Sequence, residues 1–432
     1  MGFSKFYIRK DLGTFSDSIE AIGLASILDR FFYSIDNEIH PEIFIKDNYS
    51  FFTVESEATI TKDMIQACDY FDFFKFVIPS GSFPSEYEDK YPGAYNFPKL
   101  AEQDNKPSNY DVIKMYGTIN RGGRNIGMYN KMYEKARKWR ENFPQLLTFI
   151  FEMYSNFQLS KMEKTQSEVN KFIKEEKIGI KRKELRQKSS QIINPTGTKG
   201  MCRRKANNFT WGDSPKVYWL NHLIRIVGTW ENYILRSIKK GKSRKVLADK
   251  IYSIIPNEIT FNKIFTVVQD IKIWEKTNSI LKTDIFIMLN LINALLEYQK
   301  KHSRSELVTP KDNISGINTV TYKRMQGKAK AVWNIEKLSI PELVNFKNND
   351  DLHAWQETIA EYKTVISQLD DTHSDCISAL VNFNQFISTS DFSEFFEFLY
   401  KYNALLMADM SRNTNKLYLS RLNQTNLRRL FM

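Results

Sequence analysis

The side chains best placed to do chemistry in this sequence are lysines and arginines on glycine-containing segments. In the densest segment, residues 195–208, the candidate binding side chains are Lys199, Arg203, Arg204, Lys205 and Asn207. Glycines let such a loop bring its backbone N–H groups close to a phosphate, and an arginine can grip a phosphate with two N–H donors. Trp211 could stack on a base. A solvated basic loop is the alternative, but glycines beside clustered arginines favour nucleic-acid contact.

Three shorter segments have the same character. A glycine loop predicted at 120–127 offers Arg121, Arg124 and Asn125, which could enter a DNA groove or mark an ordinary helix-entry turn. A predicted helix break offers Lys239, Lys240, Lys242, Arg244 and Lys245. A basic strip at 322–330 offers Lys323, Arg324 and Lys328. The last two could follow phosphates or be plain surface charge.

No catalytic set stands out. The five histidines are scattered, and the sequence has no HExxH, CxxC or GxSxG motif. It also lacks GxxxxGK[ST], which excludes a P-loop NTPase. We therefore expect no enzyme, no metal site and no cofactor, although a site assembled from distant residues stays open.

Charge points to a polyanionic partner. The net charge is +12, and residues 161–250 hold 23 basic against 8 acidic residues, a net of +15. Residues 1–110 hold 10 basic against 18 acidic residues, a net of −8. A face built from 161–250 would attract phosphates, whereas the first hundred residues would not.

The expected compartment is the cytoplasm. Three well-separated cysteines, Cys68, Cys202 and Cys376, favour neither a disulfide framework nor a metal site. The first residues lack the apolar stretch of a signal peptide, and no window approaches 18 uninterrupted apolar residues. We expect no membrane partner.

The elements that carry these segments predict an α+β protein that is predominantly α-helical. Strands are expected at 3–8, 43–45, 49–54 and 73–78, and a helix at 17–32. A loop with many prolines and aromatic residues follows at 79–109. Helices are expected at 128–142 and 144–189, and again from 216 to about 301, interrupted near Gly241 and Pro256. The chain reads all-α from about 338, with a tail near 413–430.

Four regions follow from this pattern. Residues 1–127 form a mixed N-terminal region, and residues 128–302 form a basic helical nucleic-acid-binding region. Residues 303–337 form a linker with the basic strip, and residues 338–432 form a helical bundle.

Several stretches resemble the large subunits of type I CRISPR surveillance complexes (Cascade). They include Gly13-Thr14, Gly23-Leu24-Ala25 inside the first helix, and the loop 199–206 leading to Tyr218-Trp219-Leu220 with Gly228 and Trp230. The strip at 322–330 and the Phe-rich helix at 391–407 are similar too. The resemblance is diffuse but covers most of the chain.

The resemblance implies a non-catalytic subunit that binds the guide-RNA handle and double-stranded target DNA with its displaced strand. It implies that Arg121, Arg124 and the loop 79–109 read the motif flanking the target, and that the loop 199–205 holds phosphates. The C-terminal bundle would lie along the displaced strand. Sequence discrimination would rest mostly on base pairing.

Partners implied by the resemblance are the backbone, handle-binding and small subunits of the complex, and a recruited helicase-nuclease or transposition adaptor. A small subunit could arise from an internal start at Met325, or at Met288. The alternatives are a guide-independent DNA- or RNA-binding protein, such as a replication or transposition factor, a metal-dependent nuclease, and a structural subunit that docks an acidic protein. The subtype, the flanking motif and the fate of the DNA stay open.

Overall fold

The structure is a computed structural model of the 432-residue chain. It describes residues 2–10, 15–38, 40–78, 90–96, 110–119, 122–188, 190, 192–195, 216–239, 246–272, 279–302, 307–324, 330–370 and 373–411.

Helices dominate these residues. The helices are α1 (Phe15–Ile35), α2 (Lys62–Ala67), α3 (Tyr110–Thr118), α4 (Gly122–Arg137), α5 (Phe143–Tyr154), α6 (Leu159–Glu175), α7 (Trp219–Asn232), α8 (Phe261–Lys272), α9 (Ile280–His302), α10 (Pro310–Asn313), α11 (Asn349–Gln368), α12 (Ser374–Thr389) and α13 (Phe392–Ser411). Short 3-10 turns occupy Arg140–Asn142 and Arg182–Glu184.

The strands of the described part are shorter than the helices and contain fewer residues in total. They are β1 (Phe3–Arg9), β2 (Ile43–Asp47), β3 (Phe51–Ile60), β4 (Val77–Ile78), β5 (Tyr95–Asn96), β6 (Arg186–Lys188), β7 (Lys216–Tyr218), β8 (Tyr233–Lys239), β9 (Val246–Pro256), β10 (Glu258–Thr260), β11 (Ile314–Arg324) and β12 (Lys330–Leu338). With 59% helix and 21% strand, the prediction of a predominantly helical α+β protein is confirmed.

Two four-stranded sheets have the orders β1-β3-β2-β10 and β12-β11-β9-β8, and β4–β5 and β6–β7 form two-stranded pairs. In the first sheet every neighbouring pair is antiparallel, and β10 pairs with β2 so that Ile259 lies opposite Ile45. The predicted strands at 3–8, 43–45 and 49–54 are confirmed. The strand predicted at 73–78 shrinks to Val77–Ile78.

The chain divides into two compact units. The first comprises residues 1–235, 251–265 and 318–336, and the second comprises 236–250, 266–317 and 337–432. Within the described ranges, no helix combines the length and apolar composition needed to cross a lipid bilayer.

The centre of the first unit is the crossing of α1 and α7. All residues of α7 and sixteen residues of α1 are buried, as expected for helices packed on every side. Two glycines allow the close approach. A Cβ added to Gly23 would lie 2.1 Å from the carbonyl oxygen of Ile224, and one on Gly228 would lie 1.7 Å from that of Ile19.

A buried carboxylate ties three helices together at this crossing. Glu20 of α1 accepts hydrogen bonds from Arg225 Nε at 2.5 Å and from Asn221 Nδ2 at 2.8 Å, both on α7. It also accepts one from the hydroxyl of Tyr154, on α5, at 2.5 Å. Because buried charges are tolerated when they are paired and hydrogen-bonded, this network orients α1, α5 and α7 within the core.

The second unit contains a helical bundle. Helices α11, α12 and α13 share an aromatic core in which Tyr362 meets Phe383 and Phe395 edge-on, with ring centroids 5.2 and 6.1 Å apart. The expectation of an all-helical arrangement after residue 338 is confirmed for residues 349–411. The tail expected at 413–430 lies outside the described residues.

Two predicted helical stretches are wrong in detail. The helix predicted at 144–189 is two helices, α5 and α6, followed by a 3-10 turn and β6. The helices predicted from 216 to 301 are interrupted by the strands β8, β9 and β10. Runs such as Tyr233-Ile234-Leu235 and Ile251-Tyr252 are rich in β-branched and aromatic residues, which suit strands, and the apolar spacing alone did not distinguish them from buried helix.

Two further segments also differ from expectation. The linker and basic strip expected at 303–337 contain β11 and, from Lys330 onward, most of β12. The glycine loop expected at 120–127 is helical from Gly122. Gly127 has open space around it and needs no special backbone conformation, so its presence did not require a loop.

Candidate nucleic-acid interface

The loop predicted at 195–208 leaves and re-enters the fold at a two-stranded stem. Strands β6 and β7 are antiparallel, with Arg186 opposite Tyr218 and Lys188 opposite Lys216. Residues 192–195 are buried and anchor the outgoing chain. The described chain on either side of the predicted loop is therefore held in one antiparallel ladder.

A row of lysines on α4 and directly after its last residue lies beside this stem. Lys131 and Lys138 are exposed, whereas Lys135 between them is only 5% exposed. Lys135 Nζ donates to the carbonyl oxygen of Glu184 at 2.6 Å, and Lys138 Nζ donates to that of Gly179 at 2.7 Å. These bonds attach the helix to the segment that leads into β6.

The row and the stem together form one basic surface, which we call the basic stem. Its members are Lys131, Lys135, Lys138, Lys181, Arg182, Lys183, Arg186 and Lys216.

The pKa values of two groups report the electrostatics of the basic stem. Burial lowers the pKa of Lys135 to about 8, helped by the charges of Lys131 and Lys138 and opposed by the attraction of Glu184. The pKa of Glu184 is lowered, first by the backbone N–H of Lys181 and then by the surrounding lysines. The surface therefore carries a positive potential that a single carboxylate only partly offsets.

A buried aromatic stack packs behind the elements that carry the basic stem. The ring of Trp139, which follows α4, stacks on Phe172 of α6 at 5.6 Å and on Trp219 of α7 at 6.1 Å. Trp219 also donates its backbone N–H to the carbonyl of Leu185, just before β6, at 2.9 Å. Because these contacts join rigid elements, the exposed cations are presented at fixed positions.

A second candidate surface of the first unit lies on strands β11 and β12. Lys323 Nζ stands 4.3 Å from the ring centroid of Trp333, whose side chain is 48% exposed. Ile335, on the same face of β12, is 45% exposed. Strand β12 lies at one edge of its sheet. An exposed indole beside a lysine is the combination that stacks a base and neutralises its phosphate.

The sequence-predicted residues fall on the structure as follows. Arg124 and Asn125 lie in the first turn of α4, Lys239 ends β8, and Lys323 and Arg324 end β11. The remaining predicted residues lie outside the described ranges: Arg121, Lys199, Arg203, Arg204, Lys205, Asn207, Lys240, Lys242, Arg244, Lys245 and Lys328.

Helices were expected on both sides of the break at 239–245, but strands flank it instead. It connects β8 and β9, which are neighbours in one sheet.

The described part of the aromatic loop at 79–109 packs into the first unit. Tyr91 is 4% exposed and stacks on Phe76 with ring centroids 4.0 Å apart, while its hydroxyl donates to Glu134. The Tyr95 ring lies 5.8 Å from that of Trp230. Tyr91 is therefore a packing residue, and Tyr95 is half-buried against Trp230.

A cleft of about 520 Å³ opens beside α1, β2 and α7 of the first unit. Its arginine, Arg30, pairs with Glu231 at 2.8 Å, and the hydroxyl of Ser26 donates to the same carboxylate at 3.0 Å. Burial raises the pKa of Asp29 nearby. The ion pair holds α1 to α7.

Among the described residues, no group of three or more His, Cys, Asp or Glu side chains could hold a metal ion.

Sequence reasoning missed the lysine row and Trp333. The row was detectable, because positions 131, 135 and 138 share one face of a helix. Residues 181–188 fall within the helix predicted at 144–189, and only the observed β6–β7 pairing places them at the base of the loop. Trp333 lies in an alternating Val-Trp-Asn-Ile run that is typical of a strand, which the linker interpretation obscured.

Comparison with models of known protein families and with curated proteins finds no match for this chain.

Proposed function

We propose that this chain is a non-catalytic nucleic-acid-binding subunit, and specifically the large subunit of a type I Cascade-like, RNA-guided complex. The observation that carries nucleic-acid binding is the basic stem, an exposed cationic surface at the base of a glycine- and arginine-containing loop. The more specific assignment rests on the diffuse sequence resemblance. In this proposal the basic stem and Arg203, Arg204 and Lys205 hold guide-handle or target phosphates.

The C-terminal bundle does not support the role along displaced DNA that the resemblance implies. Residues 349–411 hold 11 acidic and 2 basic residues, a net charge of −9. A surface of this sign repels a phosphate backbone. We therefore assign nucleic-acid binding to the first unit and to the predicted basic segments, and none to the bundle.

The identity of the complex is tested by gentle purification of the tagged protein from its source cell, followed by sequencing of any RNA that accompanies it. Short RNAs of uniform length, with one constant repeat-derived end and a variable remainder, are expected. An intact preparation that carries no RNA, or random fragments, would refute the guide-complex assignment.

The nucleic-acid surface is tested by the salt dependence of binding. Replacing Arg203 and Arg204 by Ala, or Lys181 and Arg182 by Ala, should flatten the slope of log K against log salt by roughly 0.9 per lost phosphate contact. The matched control replaces Lys5 and Lys46, which pair with Glu55 and Glu258 on the N-terminal sheet. The control removes the same amount of charge from another surface. An equal loss of salt dependence in the test and control variants would show that net charge alone, and not the basic stem or the loop, determines binding.

A second candidate function is guide-independent binding of single strands, and the exposed Trp333 beside Lys323 favours it. Stacking on an indole tolerates any base, so such binding would need neither a guide nor a partner subunit. This candidate would be favoured over the first if the purified chain alone binds random single strands tightly and if adding a guide RNA does not make the binding sequence-selective.

A further inference from the structure

Helix α13 is apolar on more of its circumference than the bundle covers. Phe395, Phe398 and Tyr402 face inward and are at most 3% exposed. A second set of large apolar side chains faces outward at exposures between 57% and 75%. We call this set the outer stripe; it consists of Phe392, Phe396, Tyr400 and Met407.

The outer stripe runs along one side of the helix, with the exposed Asn403 between Tyr400 and Met407. Its spacings of four and seven residues place its members on one side, over a length of roughly 22 Å at 1.5 Å per residue. Single exposed apolar residues need no explanation, but a contiguous row of them marks an interaction surface. Within the described part of the second unit, Phe392 contacts Phe386 of α12 with ring centroids 5.6 Å apart, yet all four side chains of the stripe stay more than half exposed.

The charge of the bundle restricts what can cover the outer stripe. A second copy of the bundle would bring together two surfaces of net charge −9, and nucleic acid would be repelled in the same way. The electrostatically favoured occupant is a segment that is basic and carries regularly spaced apolar side chains.

The chain itself holds such a segment immediately after α13. Residues 412–432 contain five basic and no acidic residues. Leu419, Leu422, Leu427 and Leu430 recur at spacings that would align them on one side of a helix. The sixteen residues from 416 to 431 would extend roughly 24 Å as a helix, close to the length of the stripe.

We propose that residues 412–432 fold back on the outer stripe of α13 and close this face of the bundle. The tether is short, so the segment competes at an effective concentration on the order of millimolar against any partner in solution. Leucines cover the aromatic row, and the basic residues reduce the net charge of residues 349–432 from −9 to −4. This inference is independent of the function proposed above.

Hydrogen–deuterium exchange of the full-length chain, read by mass spectrometry, tests the docking. Amides within 412–432 should exchange about tenfold or more slowly than in a free peptide of the same sequence. Replacing Phe396 and Tyr400 by Ser should abolish that protection. Replacing Arg421 and Arg428 by Glu leaves α13 untouched and should weaken the protection as well, so the result does not depend on one variant folding.

The matched control replaces Ile377 and Val381 by Ser. These α12 side chains are 41% and 42% exposed, so the same apolar-to-polar change is made outside the stripe, and protection should persist. Exchange of 412–432 at the free-peptide rate in the parent would overturn the proposal. So would a dimer lost with the stripe variant while the segment stays unprotected, or protection that appears only when DNA is added.

Discussion

Replacing Gly228 by Ala tests the central feature of the first unit, the contact of α7 with α1. The new Cβ would lie 1.7 Å from the carbonyl oxygen of Ile19, whereas ordinary contact begins near 3.4 Å. Both elements are helical backbone and cannot move aside as a side chain could. The helices would have to separate by about 1–2 Å in a close-packed interior.

The cost follows from two opposing effects. Overpacking of this kind costs about 1–3 kcal/mol, and separating α1 from α7 also lengthens the hydrogen bonds that Arg225 and Asn221 donate to Glu20. Alanine recovers about 1 kcal/mol of helix propensity relative to glycine. We expect a net loss of about 2–3 kcal/mol for Gly228→Ala. Gly23→Ala should lose a similar amount, and the double variant less than the sum, because both act at one crossing.

Urea unfolding followed by circular dichroism measures these losses. The control is Gly127→Ala in α4, where an added Cβ meets nothing within 4 Å, so only the propensity gain remains. That variant should be more stable than the parent by up to about 1 kcal/mol. A Gly228→Ala midpoint at or above that of the parent would refute the close crossing.

Three further predictions address charge and exposure. Glu20→Gln removes the carboxylate paired with Arg225 and leaves the buried guanidinium the weaker attraction of Asp17, so it should cost about 3–5 kcal/mol. Adding Arg225→Met should recover part of this loss; equal losses would contradict the pairing. His222 is fully buried, and burial lowers its pKa to about 3, so the unfolded chain binds more protons below the ordinary pKa of 6.5. Stability should therefore fall by up to roughly 5 kcal/mol as pH drops from 6.5 to 3, and acid titration of His222→Phe should lack this component. Trp333→Ala should weaken single-strand binding by about 1–3 kcal/mol without moving the unfolding midpoint, in contrast to Tyr49→Ala, whose ring is 95% exposed on the acidic N-terminal region.

Local patterns predicted the elements whose partners are close in sequence. The α1 helix, the first two strands and α13 were predicted within a few residues, because their apolar spacing and caps are local. Strands β8 and β9 were missed because a fully buried strand is apolar on both faces and loses the alternation that identifies it.

The candidate site was predictable in composition but not in arrangement. Arginine and glycine content singled out residues 195–208, yet nothing local to that loop indicates that Lys131 and Lys138, some 60 residues earlier, lie beside its base. Their proximity follows from the Trp139–Trp219 stack and from the bond of Lys135 to Glu184, which are contacts distant in sequence. Sequence patterns of oppositely charged pairs do not reveal clusters of like charge such as this one.

The pairing of β10 with β2 has a consequence for biosynthesis. The N-terminal sheet lacks its fourth strand until residues 258–260 have been made, about 200 residues after β2. At bacterial or eukaryotic elongation rates of 5–20 residues per second, that is an interval of roughly 10–40 s. Throughout it, β2 presents unpaired N–H and C=O groups, which is the template on which strands from other nascent chains add. The nascent chain thus exposes an unpaired edge strand until β10 has been synthesised and pairs with β2.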